Sequence, residues 1–375
     1  MPKILYLVTE DWFFVSHFLP MAETARECGF QVVVATRVRD HGPRLEAEGF
    51  RVIAIESKRG SVSLAVTVRD FMQLSRIVRA ERADIVHCIS LRPIVIGGFV
   101  ARLAGAEALV LAPTGLGHLW IERGVAARFV RSIVRMVVGN WLRGPRTHYL
   151  FENRDDPREF GIDPDGSDIT IVGGAGVDPA DVPCEPEPPA PPVKIAVVSR
   201  MIASKGIAES VEAVRRARSA GAPVELHLFG DPDPANPRSI PKDTLASWSD
   251  LPGIVLHGRD TDVARIWRDH HVAMLLSYRE GLPRALVEAA AAGRPIVTTD
   301  VPGCREVVRD GIEGILVPLG DINSAARALM TLAADPALRT RLGATANARF
   351  QERFTADVVK QTIRKLYRSL GTSSK

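Results

Sequence analysis

Two glutamates eight positions apart in the second half of the chain have the residue type and spacing to handle a phosphorylated sugar. Glu280 and Glu288 flank the turn Gly281-Leu282-Pro283 within SYREGLPRALVEAAAAGRPIVTTD. This turn predicts a strand end followed by a helix, because proline fits the first helical position, where its missing N–H has no partner to lose. Free N–H groups at such a helix start favour an anion such as a diphosphate. Further along the helix, Glu288 would accept hydrogen bonds from hydroxyl groups.

Two basic residues in the same half of the chain could bind the same diphosphate. Arg200 and Lys205 follow the predicted strand 193–199 and flank the start of a predicted helix at Ile207. A diphosphate needs positive charge of this kind beside a helix N-terminus, and more so where no metal shares its charge. The alternative interpretation is a pair of exposed basic side chains.

Other loops of the second half give weaker signals. Arg259, in HGRDTDV after another predicted strand, is a candidate contact for a donor base, although Gly258 is equally typical of a plain turn. The sequence also contains two Asp-Pro-Asp triplets, at 163–165 and 231–233. Asp-x-Asp can bind a divalent cation, but proline among turn residues favours turn chemistry here. We therefore predict no metal site.

The first half holds less specific candidates. His17 lies close to the start of a predicted helix, and His118 follows a predicted strand in PTGLGHLW. Arg92 follows a strand in LRP and could meet an acceptor phosphate, although a solvated arginine is the commoner case. No G-x-G-x-x-G follows the first strand, which counts against a Rossmann dehydrogenase.

A basic and apolar segment lies between residues 123 and 151, which contain six arginines and no acidic residue. Arg128, Arg131 and Arg135 fall on one face of a predicted helix, with apolar residues and Trp141 beside them. A basic stripe next to a broad apolar face is typical of a helix lying in an anionic membrane surface. The alternative is an amphipathic helix packed on its own sheet. No recognition motif for nucleic acid is present.

The elements that must position these residues alternate along the chain. Short apolar strands are separated by helical stretches in both halves, which predicts parallel sheets with right-handed crossovers. Residues 179–192 contain seven prolines and read as a semi-rigid spacer between two such regions. Two doubly wound domains would place a cleft between them, with ligands at the carboxyl ends of the strands.

Composition agrees with a globular protein of two domains. The chain has 375 residues, of which 46% are apolar and 25% charged, and its net charge is +4. Its four cysteines show no metal-ligand spacing and no disulfide framework. The first residues lack the layout of a signal peptide, so we expect a cytoplasmic protein, held at the inner face of the cell membrane if the basic helix binds there.

Taken together, SRMIASKG, HGRDTDV, TGLGHLW and above all the E-x7-E block resemble the retaining glycosyltransferases of family four, which have the GT-B fold. The chain looks most like bacterial members that extend polyprenyl-diphosphate-linked saccharides, such as N-acetylgalactosaminyltransferases. The resemblance implies two Rossmann-like domains facing a central cleft. It also implies a nucleotide-sugar donor, most simply a UDP-sugar, a lipid-linked or saccharide acceptor, and catalysis without a metal.

The same resemblance assigns roles to residues. It makes Glu280 and His118 the catalytic candidates and places His17 and Arg92 on the acceptor side. The remaining assignments bind the donor: Arg200, Lys205, Arg259, Gly281, Leu282 and Glu288.

We expect an acceptor domain at 1–178, the spacer at 179–192, a donor domain at 193–352 and a C-terminal helix within 353–375 that returns to the first domain. Other classes of protein share two α/β domains and a cleft. A nucleotide-sugar epimerase would need no acceptor. A sugar-binding protein would usually be exported, and a non-catalytic membrane scaffold would have no affinity for nucleotides.

Overall fold

The computed structural model describes residues 1–56, 64–116, 119–120, 122, 124–234 and 236–371. Its contacts divide the chain into two units. Unit 1 comprises Met1–Ala175 and the described residues from Ala356 onward, and unit 2 comprises Gly176–Thr355. His118 lies outside the described residues.

Unit 1 is built on a parallel sheet of seven strands in the order β3-β2-β1-β4-β5-β6-β7. The strand order reverses between β1 and β4: β2 and β3 lie on one side of β1, and the strands from β4 onward lie on its other side. The strands are β1 Lys3–Glu10, β2 Gln31–Arg37, β3 Arg51–Ala54, β4 Ile85–Ile89, β5 Ala108–Ala112, β6 Thr147–Phe151 and β7 Ile169–Ile171.

The helices of unit 1 cover both faces of this sheet. They are Asp11–His17, Leu19–Glu27, Gly42–Ala47, Leu64–Glu81, Leu91–Pro93, Phe99–Leu103, Val125–Met136, Asp156–Glu159 and Ala356–Gly371, with π-helical segments at Ile94–Gly98 and Val137–Trp141. The sequence predicts a loop where the first of these helices lies, because the seven residues DWFFVSH are too short a segment to show a helical period.

Unit 2 repeats the architecture with six parallel strands in the order β10-β9-β8-β11-β12-β13, and its reversal lies between β8 and β11. The strands are β8 Val193–Val198, β9 Val224–Phe229, β10 Ile254–Gly258, β11 Val272–Leu275, β12 Ile296–Thr299 and β13 Gly314–Val317. The helices are Ile207–Ser219, Lys242–Ser249, Val263–Arg268, Arg284–Ala291, Cys304–Val307, Ile322–Ala334 and Pro336–Arg353, with a 3-10 turn at Ala203–Lys205.

Each sheet separates two apolar cores, as a doubly wound fold requires. Along β1, Ile4 and Tyr6 face one core while Leu5 and Leu7 face the other. Successive side chains of a strand point to opposite faces, so a strand buried on both sides reads as a continuous apolar run. The predicted fold class, two α/β domains with parallel sheets, is confirmed.

The last helix, Ala356–Gly371, packs on unit 1. The Tyr367 hydroxyl lies 2.8 Å from the Tyr6 hydroxyl and 3.0 Å from Nδ1 of His87, and all three side chains are buried. Arg364 adds an ion pair to Glu27 at 2.7 Å. These buried hydrogen bonds, between residues far apart in the sequence, hold the helix on the unit.

The proline-rich segment is attached along unit 2. The buried Arg294 donates to the Pro186 carbonyl at 3.1 Å, and His271 Nε2 lies 3.0 Å from the Pro188 carbonyl. Arg339 pairs with Glu187 at 3.0 Å. These contacts hold residues 186–188 against the unit, so this part of the segment is not a free spacer.

Among the described residues, no helix has the length and apolarity needed to span a membrane.

Candidate functional site

The carboxyl ends of β8 and β11 bring two loops of unit 2 together. The Tyr278 N–H donates to the Ser204 carbonyl at 3.0 Å. Gly206, at φ 69°, lies so close to the end of β11 that a Cβ there would approach the Leu276 carbonyl oxygen to 2.1 Å. Only glycine fits both this backbone conformation and this approach. The two loops lie where the strand order reverses, which is where open α/β sheets bind ligands.

Glu280 and Lys205 meet at this position. Lys205 Nζ lies 2.6 Å from Glu280 Oε1, and the Ser277 hydroxyl donates to the same oxygen at 2.5 Å. Lys205 and Glu280 are 20% and 9% exposed. Two donors on one oxygen fix the orientation of the carboxylate, so its second oxygen is the one available to a ligand.

The backbone around Glu280 is held by the end of β12. The Thr299 hydroxyl donates to the Ser277 carbonyl. Gly303, at φ 76°, packs so tightly that a Cβ there would lie 2.4 Å from the Gly281 carbonyl oxygen. Burial raises the pKa of the neighbouring Cys304 thiol to about 12, which keeps it protonated and chemically inert.

Arg200 lies on the same edge of the sheet and has its own carboxylate partner. Its NH1 is 2.6 Å from Asp233 Oδ2, in the loop after β9. Both predicted diphosphate-binding cations therefore have a carboxylate partner within unit 2, and Lys205 lies two residues before the first residue of the helix Ile207–Ser219.

The predicted helix after Glu280 is present at Arg284–Ala291, and Gly293, at φ 70°, follows its last turn. Pro283 is the residue before the helix and not its first residue. Leu282 packs against the apolar core on its side of the sheet.

Glu288 is largely buried on this helix, and its Oε1 accepts from Arg284 Nε at 2.7 Å. Burial raises the pKa of Glu288, although the Arg284 charge opposes the shift. Glu288 is therefore not a solvated residue of the helix surface.

Arg259 is exposed in the loop after β10. That loop is joined to the loop after β9 by a hydrogen bond from the Gly230 N–H to the Gly258 carbonyl at 2.7 Å. The structure thus places Arg259 two loops further along the edge than Arg200, with the loop after β9 between them.

In unit 1, the acceptor candidates have partners of their own. Arg92 donates from Nε and NH2 to Asp70 Oδ2 at 3.0 and 2.8 Å, and Asp70 is 3% exposed. It is therefore not a solvated arginine. The His17 ring stacks on Phe13 at 4.5 Å and hydrogen bonds to Ser16 at 2.6 Å, at the end of the helix Asp11–His17.

The arginines of the helix Val125–Met136 differ in their contacts with the rest of the protein. Arg131 donates to the carbonyls of Leu119 and Glu122 at 3.1 and 2.9 Å. Arg135 pairs with Glu159 at 2.6 Å, while Arg128 is exposed. Trp141 stacks on Phe99 with ring centroids 4.2 Å apart.

Only part of the apolar side of this helix packs on unit 1, where Val134 is buried. Four apolar residues at helical spacing are exposed: Val125 (73%), Phe129 (67%), Ile133 (40%) and Met136 (58%).

Among the described residues, no cluster of histidine, cysteine, aspartate or glutamate has the arrangement of a metal site.

Comparison with known proteins follows the two units. A family model described as glycosyl transferase 4-like matches residues 3–137, and one described as glycosyl transferases group 1 matches residues 192–335. The chain is a family-four glycosyltransferase with the GT-B fold. The match to residues 192–335 covers the strands that position Arg200, Lys205, Glu280 and Glu288.

Two curated relatives of this glycosyltransferase match almost its whole length. An N,N'-diacetylbacillosaminyl-diphospho-undecaprenol alpha-1,3-N-acetylgalactosaminyltransferase of Campylobacter jejuni is 22% identical over 371 residues, covering 94% of this chain and 95% of the relative. The putative glycosyltransferase EpsD of Bacillus subtilis is 24% identical over 362 residues, covering 91% and 90%.

Solved structures share the fold. A glycosyltransferase from Rickettsia africae superposes with a TM-score of 0.76 at 16% identity, covering 100% of this chain and 99% of that one. Anabaena HepE in complex with UDP-glucose superposes with a TM-score of 0.75 at 16% identity, covering 98% and 100%.

Three polar residues of the glycosyltransferase at the ends of strands escaped sequence reasoning. Ser277 carried a signal, since it lies three residues before Glu280 at a strand end. Asp233 was noticed only as a turn residue. Ser90 has a φ of 73°, rare for a side chain other than glycine, and its hydroxyl lies 3.0 Å from that of Thr114. Strain of this kind at a strand end is typical of functional positions, and no sequence pattern reveals it.

Proposed function

We propose that the enzyme transfers a hexose or N-acetylhexosamine from a UDP-sugar to a polyprenyl-diphosphate-linked saccharide, with retention of anomeric configuration and without a metal. The observation that carries the proposal is the meeting of Lys205 and Glu280 at the strand-order reversal of unit 2. A cation and an oriented carboxylate side by side suit a ligand that carries a diphosphate next to a sugar.

The donor and acceptor classes are supported by the relatives. Anabaena HepE binds UDP-glucose in its crystal structure, and the Campylobacter jejuni relative is named for transfer to a diphospho-undecaprenol carrier. The same relative is an N-acetylgalactosaminyltransferase, which supports an N-acetylhexosamine as the transferred group.

The chemistry follows from charge. As the bond between the sugar and the diphosphate breaks, the leaving diphosphate gains the electron pair, and Arg200 and Lys205 stabilise the negative charge that develops there. The peptide N–H groups of Gly281 and Leu282, near the start of the helix Arg284–Ala291, add partial positive charge. Fixed positive groups in a partly buried site are effective because they need no reorganisation during the reaction.

The two glutamates have different tasks in this scheme. Glu280, held through one oxygen by Lys205 and Ser277, presents the other oxygen to the sugar hydroxyls. Glu288 accepts hydrogen bonds from the ribose, and Arg259 lies on the side of the base. The acceptor hydroxyl attacks from the side of the leaving group, as retention in this family implies. Arg92, His17 and His118 remain proposals for the acceptor side.

Peripheral attachment to the cytoplasmic face of the membrane completes the proposal. The exposed apolar face of the helix Val125–Met136, with Arg128 and Trp141 beside it, supports attachment through apolar insertion more than through charge. The reason is that Arg131 and Arg135 are engaged by groups of the protein itself. Such a surface would bring the active site to a lipid-linked acceptor.

Turnover of UDP-sugars by Lys205→Ala and Glu288→Ala tests the proposal, with Lys242→Ala as a matched control because Lys242 is an exposed lysine of the same unit. We expect losses of about 100-fold or more in kcat/KM for Lys205→Ala, as for removal of one charge-stabilising group elsewhere. Near-normal rates in both variants would refute the assignment. Conversion of UDP-sugars without any acceptor would instead indicate an epimerase, and the persistence of full activity in EDTA tests metal independence.

A further inference from the structure

Asp233 forms an ion pair with Arg200 within unit 2. The Asp233 Oδ2 lies 2.6 Å from Arg200 NH1, and the two side chains are 21% and 44% exposed. A carboxylate that pairs with a predicted diphosphate-binding cation competes with the ligand for the same N–H groups, because a guanidinium binds a carboxylate and a phosphate in the same fork geometry.

The position of Asp233 does not depend on this ion pair. The loop that carries it is joined to the Arg200 loop by backbone hydrogen bonds, from Met201 N–H to the Asp231 carbonyl and from Ala203 N–H to the Arg238 carbonyl, both at 2.9 Å. A further bond runs from Ile240 N–H to the Met201 carbonyl, also at 2.9 Å. The two loops therefore stay together when the charge of Asp233 is removed.

We propose that Asp233 is a positioning residue that acts through Arg200: it holds the guanidinium while the donor site is empty, yields it to the diphosphate, and retakes it as the nucleoside diphosphate leaves. The proposal rests on the proposed function, since it takes Arg200 as a ligand of the diphosphate. A diphosphate displaces the carboxylate because it brings more than one negative charge to the same cation.

Displacement has a measurable consequence for affinity. Breaking the pair opposes binding, so a protein without the Asp233 charge binds UDP more tightly. An exposed ion pair of this kind corresponds to an increase in affinity of about two- to fivefold. The Lys205 pair with Glu280 is less suitable for the test, because Glu280 itself is proposed to contact the sugar.

Asp233→Asn removes the charge and keeps an acceptor for Arg200, and Asp233→Glu keeps the charge. Asp250→Asn is the matched control, because it removes an exposed carboxylate elsewhere in unit 2. UDP binding is measured by calorimetry, and product inhibition by UDP and the KM of the UDP-sugar are measured in turnover. Thermal unfolding shows that each variant is folded.

We expect Asp233→Asn to lower the Kd and the inhibition constant of UDP about two- to fivefold and to lower KM in parallel, while Asp233→Glu and Asp250→Asn keep the wild-type values. A merely structural role for Asp233 would weaken binding in the asparagine variant. If wild type binds UDP and Asp233→Asn binds it equally or less tightly, the inference about Asp233 is wrong while the donor site stands. If wild type binds no UDP, the proposed function falls, and this inference with it.

Discussion

His271 makes the donor unit sensitive to acid, and the size of the effect can be worked out from its two hydrogen bonds. The side chain is fully buried. Its Nδ1 accepts from the Lys194 N–H at 3.0 Å, so the proton of the neutral ring is on Nε2, which donates to the Pro188 carbonyl. Protonation would place a second N–H against the Lys194 N–H. Burial, together with the nearby Arg339 charge, lowers the pKa of His271 from 6.5 to about 4.

The sign and magnitude follow from linkage. A histidine whose folded pKa is lowered contributes full stability above pH 6.5, because below that value the unfolded chain binds a proton that the folded chain does not. The contribution is lost progressively as the pH falls from 6.5 towards 4. At pH 5 the loss amounts to about 2 kcal/mol for this one residue. For a unit of this size it corresponds to a fall of about 4–8 °C in Tm.

The assay compares unfolding of wild type and His271→Asn at about pH 7.5 and pH 5. Asparagine keeps an acceptor for the Lys194 N–H but has no proton to gain in this range. We expect His271→Asn to lose about 2 kcal/mol less than wild type on acidification. Equal losses in wild type and His271→Asn would refute the reasoning.

Three further substitutions test other parts of the account. Glu288→Gln should raise Tm or leave it unchanged at about pH 7.5, because the raised pKa of Glu288 means that wild type loses stability as the pH rises above 4.5. The same variant should raise the KM of the UDP-sugar at least about tenfold. A lower Tm together with a normal KM would contradict both roles of Glu288. Gly303→Ala should abolish most turnover while the protein remains folded, because the added Cβ would displace the Gly281 carbonyl; full activity would show that this packing does not position Glu280. Phe129→Asp should lower co-sedimentation with anionic vesicles by about tenfold without changing UDP affinity. The control Leu319→Asp, at an exposed apolar residue of unit 2, should have no effect on either.

Much of the fold can be predicted because buried parallel strands are continuous runs of apolar residues. The predicted strand 193–199 differs from β8 Val193–Val198 by one residue, and the helix predicted to start at Ile207 does start there. The short strand Ile169–Ile171 and the π-helical segments escaped prediction. A strand of three residues is too short to show an alternating or continuous apolar pattern. A π-helical segment depends on packing against neighbouring elements, which a single sequence does not display.

The candidate site could be predicted in its residues but not in its pairing. Lys205 and Glu280 were both identified, yet they are 75 positions apart and only the strand order brings them together. The proline-rich segment illustrates the same limit. Its composition predicts a spacer, but the arginine and histidine that hold it belong to distant parts of unit 2.

A crystal structure of the enzyme with UDP tests the central claim most directly. The account predicts the diphosphate within hydrogen-bond distance of Arg200 and Lys205, in front of the helix Arg284–Ala291, with Asp233 withdrawn from Arg200 and no metal between the phosphates and the protein. Clear density for UDP away from the carboxyl ends of β8 and β11, or a diphosphate held through a cation and not by these two side chains, would contradict it.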